Sequence, residues 1–132
     1  MTKIVVNGTF DILHVGHIKL LNYAKTLGNN LLVCIDSDDR VRRLKGANRP
    51  INNQMERRLL LLNLKAVDAV EIFDTDEDLE NILSFYEPDI MVKGSDYKNK
   101  PIVGSKYCKD IVFYDRIVQY STTQKIQDII DR

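Results

Sequence analysis

Apolar residues recur along this chain in stretches that switch repeatedly between a strand pattern and a helical one. Lys3-Ile4-Val5-Val6-Asn7 is a short β-branched run, the pattern of a buried strand. Behind it, apolar residues at 18, 20, 21, 24 and 27 keep a helical spacing and Gly28 closes the stretch, so a helix is expected over 18–27. The run Asn30-Leu31-Leu32-Val33-Cys34-Ile35 is continuous, as in a strand covered on both faces. A helix is expected over 52–64, with Asn52 or Asn53 as its cap, then a strand over 67–73. Apolar residues at 79, 82, 83 and 86 predict a helix over 75–86, stopped by Glu87-Pro88. Short strands follow at 89–92 and 111–114, and the last helix is expected over 124–130. Strands alternating with helices predict right-handed βαβ units with parallel strands. Ligands of such sheets gather at the carboxyl ends of the strands.

The residues expected at those ends are rich in chemistry. The first strand runs into Gly8-Thr9-Phe10-Asp11-Ile12-Leu13-His14-Val15-Gly16-His17. That turn brings backbone N–H groups and the positive end of a helix dipole to one place, a ready anion site. His14 and His17 share a helix face there, and Gly16 between them opens the backbone to a ligand. Two other readings exist for the pair: a packed histidine pair in the core, or a metal site, for which Asp11 is the only nearby third ligand. The second strand ends in Asp36-Ser37-Asp38-Asp39. Five basic residues follow within Arg40–Pro50, either as a solvated helix face or as a phosphate clamp. The fourth strand ends in Lys93-Gly94-Ser95-Asp96-Tyr97, where the ring can cover a base or sugar and Asp96 can accept hydrogen bonds. Ser121-Thr122-Thr123 at the last helix start offers hydroxyls and free N–H groups, as a plain cap or as a phosphate site. The acidic run Asp74–Asp78 reads as the cap of the helix behind it.

Bulk properties narrow the setting. The chain has 132 residues, with 19 Lys+Arg against 19 Asp+Glu, so nothing suggests the broad basic surface of a nucleic-acid binder. One domain over 1–132 is expected, with no leader peptide, no apolar run of membrane-spanning length, and a cytoplasmic location. Cys34 and Cys108 lack metal or disulfide spacing and fit a reducing compartment.

Gly-Thr-Phe-Asp with His-x-Gly-His resembles the signature of the cytidylyltransferase-like nucleotidyltransferases, and the resemblance runs from Lys3 to about Ile130, which implies an α/β fold with a five-stranded parallel sheet of Rossmann type. It implies that His14 and His17 contact the triphosphate, that Lys45 reaches the nucleotide phosphates and that Arg116 contacts them too. Gly8, Thr9, Phe10, Gly16, Gly94, Asp96, Ser121, Thr122 and Thr123 are then expected around the nucleotide. Asp11, Asp38, Arg57 and Tyr97 are expected to meet the acceptor, with Arg58 the rival of Arg57. Val-Lys-Gly-x-Asp-Tyr and the Gly104-Ser105-Lys106 that follows are similar to the adenylyltransferase domain of bacterial ADP-heptose synthase. The glycerol-3-phosphate cytidylyltransferases typically carry a tryptophan at the corresponding place, and this chain has none. Gln119-Tyr120 departs from the small pair usual before Ser-Thr-Thr in the heptose enzymes.

The resemblance therefore implies adenylyl transfer from ATP to a heptose 1-phosphate, with a separate kinase supplying that substrate. CTP with glycerol 3-phosphate is the alternative, an FAD synthetase of archaeal type a third, and a nucleotide-binding module without catalysis an alternative of another class. Magnesium is expected on the nucleotide phosphates, no metal site of the protein's own is expected, and a homodimer is the expected assembly.

Overall fold

The structure, a computed structural model, describes residues 1–115 and 122–130, and in the second range side chains from 126 onward. Five parallel strands, β1 (Lys3–Gly8), β2 (Asn30–Asp36), β3 (Ala69–Phe73), β4 (Ile90–Gly94) and β5 (Asp110–Tyr114), form one sheet in the order β3-β2-β1-β4-β5. The helices are α1 (Val15–Thr26), α2 (Asp38–Lys45), α3 (Gln54–Leu62), α4 (Asp76–Tyr86) and α5 (Thr122–Ile130). The chain leaves β1 toward β2 on one side and comes back to pair β4 on the other, so the strand order reverses at β1. A crevice at the carboxyl ends of β1 and β4 follows from that reversal.

Register shows how the crevice opens. β1 pairs with β2 from Lys3↔Asn30 to Gly8↔Ile35, whereas its ladder with β4 joins Ile4↔Ile90 and Val5↔Met91. Both faces of the sheet are buried, as the continuous apolar runs require. Ile4, Val6, Leu31, Val33, Ile35 and Val92 pack with Leu21 and Ala24 of α1 and Leu61 of α3. On the other face Val5, Leu32, Cys34 and Met91 pack with Phe73 and with Leu79 and Leu83 of α4. Burial pushes the Cys34 thiol up to about 12, which keeps it an apolar filler rather than a nucleophile.

The expected acidic cap is present and does more. Thr75 Oγ1 accepts from Asp78 N at 3.0 Å and Asp78 returns the bond to Thr75 N at 3.1 Å, a capping box. Asp74 accepts from the Ser37 hydroxyl at 2.6 Å, and Asp76 pairs with Arg40 at 2.8 Å, so the same run fastens α2 to the turn after β3.

Beyond β4 the chain crosses back over α4 through Gly104, whose φ is +83°. A Cβ there would lie 2.4 Å from Cδ1 of the fully buried Leu83. Gly104→Ala therefore combines a left-handed backbone with overpacking and should cost about 1–3 kcal/mol. The urea midpoint is the readout; an unchanged midpoint would show that this crossing shifts freely over α4.

Candidate active site

The site is built around the turn that ends β1. A Cβ on Gly8 would approach the Phe10 ring at 3.0 Å, so the glycine gives that ring its place. Phe10 adopts φ +51°, a strained conformation for a bulky residue, and is buried with its ring tilted against His17 at 5.0 Å. The turn is pinned from both ends. Thr9 donates its hydroxyl hydrogen to Asp36 at 2.7 Å, and the Asp11 carboxylate accepts the N–H groups of Ile51 and Asn52, both at 2.8 Å.

Helix α1 starts at Val15, three residues earlier than apolar spacing indicates, because His14 is its N-cap. His14 Nδ1 accepts from Gly16 N at 3.1 Å, and His17 Nδ1 accepts from His14 N at 3.3 Å. The two histidines thus form a reciprocal capping box, with imidazoles in place of the usual hydroxyl and carboxylate. Their rings stack 3.8 Å apart. A neutral ring that accepts at Nδ1 carries its proton on Nε2. The cap therefore selects, in both rings, the tautomer with an Nε2–H donor, at the positive end of the helix.

Beneath the turn lies Arg57, fully buried. Its guanidinium donates to the carbonyls of Asn52 (3.0 Å), Thr9 (3.0 Å) and Asp36 (2.7 Å) and to the Asp38 carboxylate (2.8 Å). One side chain thereby ties the ends of β1 and β2 to the start of α3. This corrects the expectation that Arg57 meets the acceptor: its donors are spent on protein oxygens and it does not line the cavity. The same holds for Asp38, which turns to Arg57. Asp11 borders the cavity, but its carboxylate is taken up by the loop after Arg49.

A cavity of about 540 Å³ opens above the strand ends. Gly8, Thr9, Phe10, Asp11, His14, Gly16, His17, Lys45, Gly94, Asp96 and Tyr97 all line it, so most of the expected site residues share one space. Arg116 and Ser121 lie outside the described residues; Thr122 and Thr123 open α5, and their side chains are outside the description. The cavity also holds Asn7, Asp36, Arg40 and Lys93, which were not among the expected contacts. Lys93 is half-buried, with Nζ 4.1 Å from the centre of the Tyr97 ring. Burial pushes its ammonium below the usual lysine range, opposed by the charges of Asp36 and Asp96. Among the described residues no three His, Cys, Asp or Glu side chains come together as a metal site.

The two stacked imidazoles thus stand at a helix N-terminus, above the switch point of a parallel sheet, the kind of place where anions bind in such folds. The sequence model of the family described as cytidylyltransferase-like matches residues 5–130. The chain belongs to that family of nucleotidyltransferases. Similar proteins named bifunctional protein HldE occur in Helicobacter hepaticus, 46% identical over 97% of this chain, and in Nitratiruptor sp., 48% identical over 94%. One from Campylobacter jejuni strain RM1221 is 47% identical over 98%. The chain spans little more than a quarter of the length of these relatives (27%, 27% and 28%). A crystal structure of the lipopolysaccharide core biosynthesis protein from Thermoplasma volcanium superposes with a TM-score of 0.71 at 30% identity, over 87% of this chain and 99% of that one.

At the level of sequence, Asp36 and Lys93 already stand in the strand-end clusters expected at the ligand edge; Asn7 carries the same signal at the end of β1 and was not singled out.

Proposed function

We propose that this chain transfers the adenylyl group of ATP to a heptose 1-phosphate and releases pyrophosphate. The observation that carries the reading is the histidine capping box, which fixes two Nε2–H donors and a helix N-terminus in the cavity that Lys45 also borders. Charge builds on the phosphate oxygens as pyrophosphate leaves, and fixed donors there stabilise it. The acceptor needs no protein base. A phosphate monoester has a second pKa of about 6, so it enters as an anion and needs alignment rather than activation. Its oxygen bonds to the α-phosphorus while the bond to the bridging oxygen breaks, and pyrophosphate takes that electron pair.

In this reading magnesium arrives as part of the Mg·ATP substrate, on phosphate oxygens suited to a hard cation. Arg116, Ser121, Thr122 and Thr123 complete the nucleotide's surroundings. The choice of ATP and a heptose rests on the Lys93–Tyr97 and Gly104–Lys106 segments, and the relatives named HldE support it. The reading includes a cytoplasmic homodimer. No helix among the described residues is long and apolar enough to cross a membrane, and Met55, Leu59 and Leu60 stand exposed along α3.

Pyrophosphate release from ATP and CTP, each against heptose 1-phosphate, glycerol 3-phosphate and FMN, tests the proposal. Release with ATP and heptose 1-phosphate is the expected result. Release with CTP and glycerol 3-phosphate alone would keep the chemistry and overturn the substrates. Tight nucleotide binding without release in any well would make the chain a binding module.

A further inference from the structure

Side-chain alternation divides the cavity into two sides. Val5, Cys34 and Met91 point into the core under α4, so two residues further along, Asn7, Asp36 and Lys93 lie on that same face. The register that sets Val5 beside Met91 sets Asn7 beside Lys93, where β1 and β4 no longer pair. The result is a polar row across three adjacent strand ends, over an apolar floor that includes Phe73, Leu79 and Ile102. Helix α1, with its histidines, packs on the opposite face of the sheet.

The members of the row differ in what they still offer. Asp36 is engaged by Thr9 at 2.7 Å and by Arg40 Nε at 3.1 Å. Asn7 Oδ1 is buried without a hydrogen-bond partner, an acceptor that lacks its donor. Lys93 holds a desolvated ammonium at the cavity wall beside an aromatic ring. Burying an amide oxygen and an ammonium in this way is unfavourable to folding unless a ligand completes them.

We propose that Asn7 and Lys93 bind the acceptor from the α4 side of the sheet, Lys93 through its phosphate oxygens and Asn7 through a hydroxyl of its polyhydroxylated body. This deepens the nucleotidyl-transfer reading and rests on it. Nucleotide phosphates lie at the start of α1, the acceptor phosphate lies on the Lys93 side, and the two meet in the gap between β1 and β4. In-line displacement requires the entering and leaving oxygens on opposite sides of the α-phosphorus, and a cavity open to both sheet faces supplies that geometry.

The test compares Lys93→Met, Lys93→Arg and Asn7→Leu with the unaltered chain. Lys93→Met and Asn7→Leu should each raise the acceptor KM about 10- to 100-fold, while affinity for a non-hydrolysable ATP analogue changes by less than about twofold. Lys93→Arg should recover part of the loss, because it keeps the charge. Lys93→Met should leave the thermal midpoint level or higher, since it removes a desolvated charge from the folded state. Weakened ATP-analogue binding with an unchanged acceptor KM would overturn the assignment, and so would a lowered midpoint with both affinities reduced alike. If the unaltered chain turns over CTP and glycerol 3-phosphate instead, the substrate reading fails, and the same KM comparison with that pair decides the two residues. If no pair turns over, inorganic phosphate is titrated by calorimetry with the ATP analogue saturating. Equal phosphate affinity in the unaltered chain and Lys93→Met would then refute the proposal.

Discussion

His17→Ala is expected to lower the rate of nucleotidyl transfer by about 100- to 1000-fold and, in the same protein, to loosen the start of α1. The two effects have one cause. His17 Nδ1 accepts the His14 backbone N–H and so fixes the tautomer that carries Nε2–H, the donor that the proposed reaction sets against a phosphate oxygen. Alanine removes the donor and leaves a helix-start N–H without its partner, and losing a cap contact costs about 0.5–2 kcal/mol. His17→Gln separates them, because glutamine is a usual partner at that position of a capping box. It should restore most of the thermal midpoint and little of the rate. A Gln variant with near-normal turnover would sink the assignment of His17 to the phosphates.

The second large effect is expected at a residue that does not border the cavity. Arg57→Leu would leave the carbonyls of Asn52, Thr9 and Asp36 short of a donor and the Asp38 carboxylate short of its counter-charge. Breaking a buried ion pair on one side costs about 3–5 kcal/mol. For a chain of this length that lowers the melting temperature by about 10–20 °C. Arg57→Lys should recover little of it, since one ammonium cannot serve acceptors spread around a planar guanidinium. Thermal unfolding followed by circular dichroism reads both variants. A shift of a degree or two would mean that the turn after β1 holds itself together.

The two cases show which parts of the molecule could be read from the chain. The strand–turn–helix of the first 28 residues is local: apolar spacing, a glycine and a cap follow one another, and the histidine motif lies among them. Even there the helix began early, because imidazoles capping a helix leave no mark in apolar periodicity. Arg57 was expected at the acceptor because its Glu-Arg pair resembles a family segment whose arginine faces the active site. The carbonyls it serves instead lie 48 and 21 residues away in sequence, a relation that no local pattern carries. Asn7 and Lys93 are 86 positions apart in the chain numbering and become neighbours through the strand order β2-β1-β4. Alternating strands and helices predict parallel strands, but they leave open which strand stands beside which.

The imidazole cap also bears on how this architecture would decay. A descendant released from catalysis would still have to begin its first helix, and folding alone would favour keeping His14 and His17. Lys93 is under the opposite pressure, since its desolvated ammonium opposes folding and an apolar replacement would be welcome once no ligand called for it. In a lineage drifting toward silence, the signature histidines would be the last residues to change and the lysine at the end of β4 among the first. If Lys93 binds the acceptor as proposed, its identity rather than that of the histidines is the position that separates working members of this architecture from silent ones.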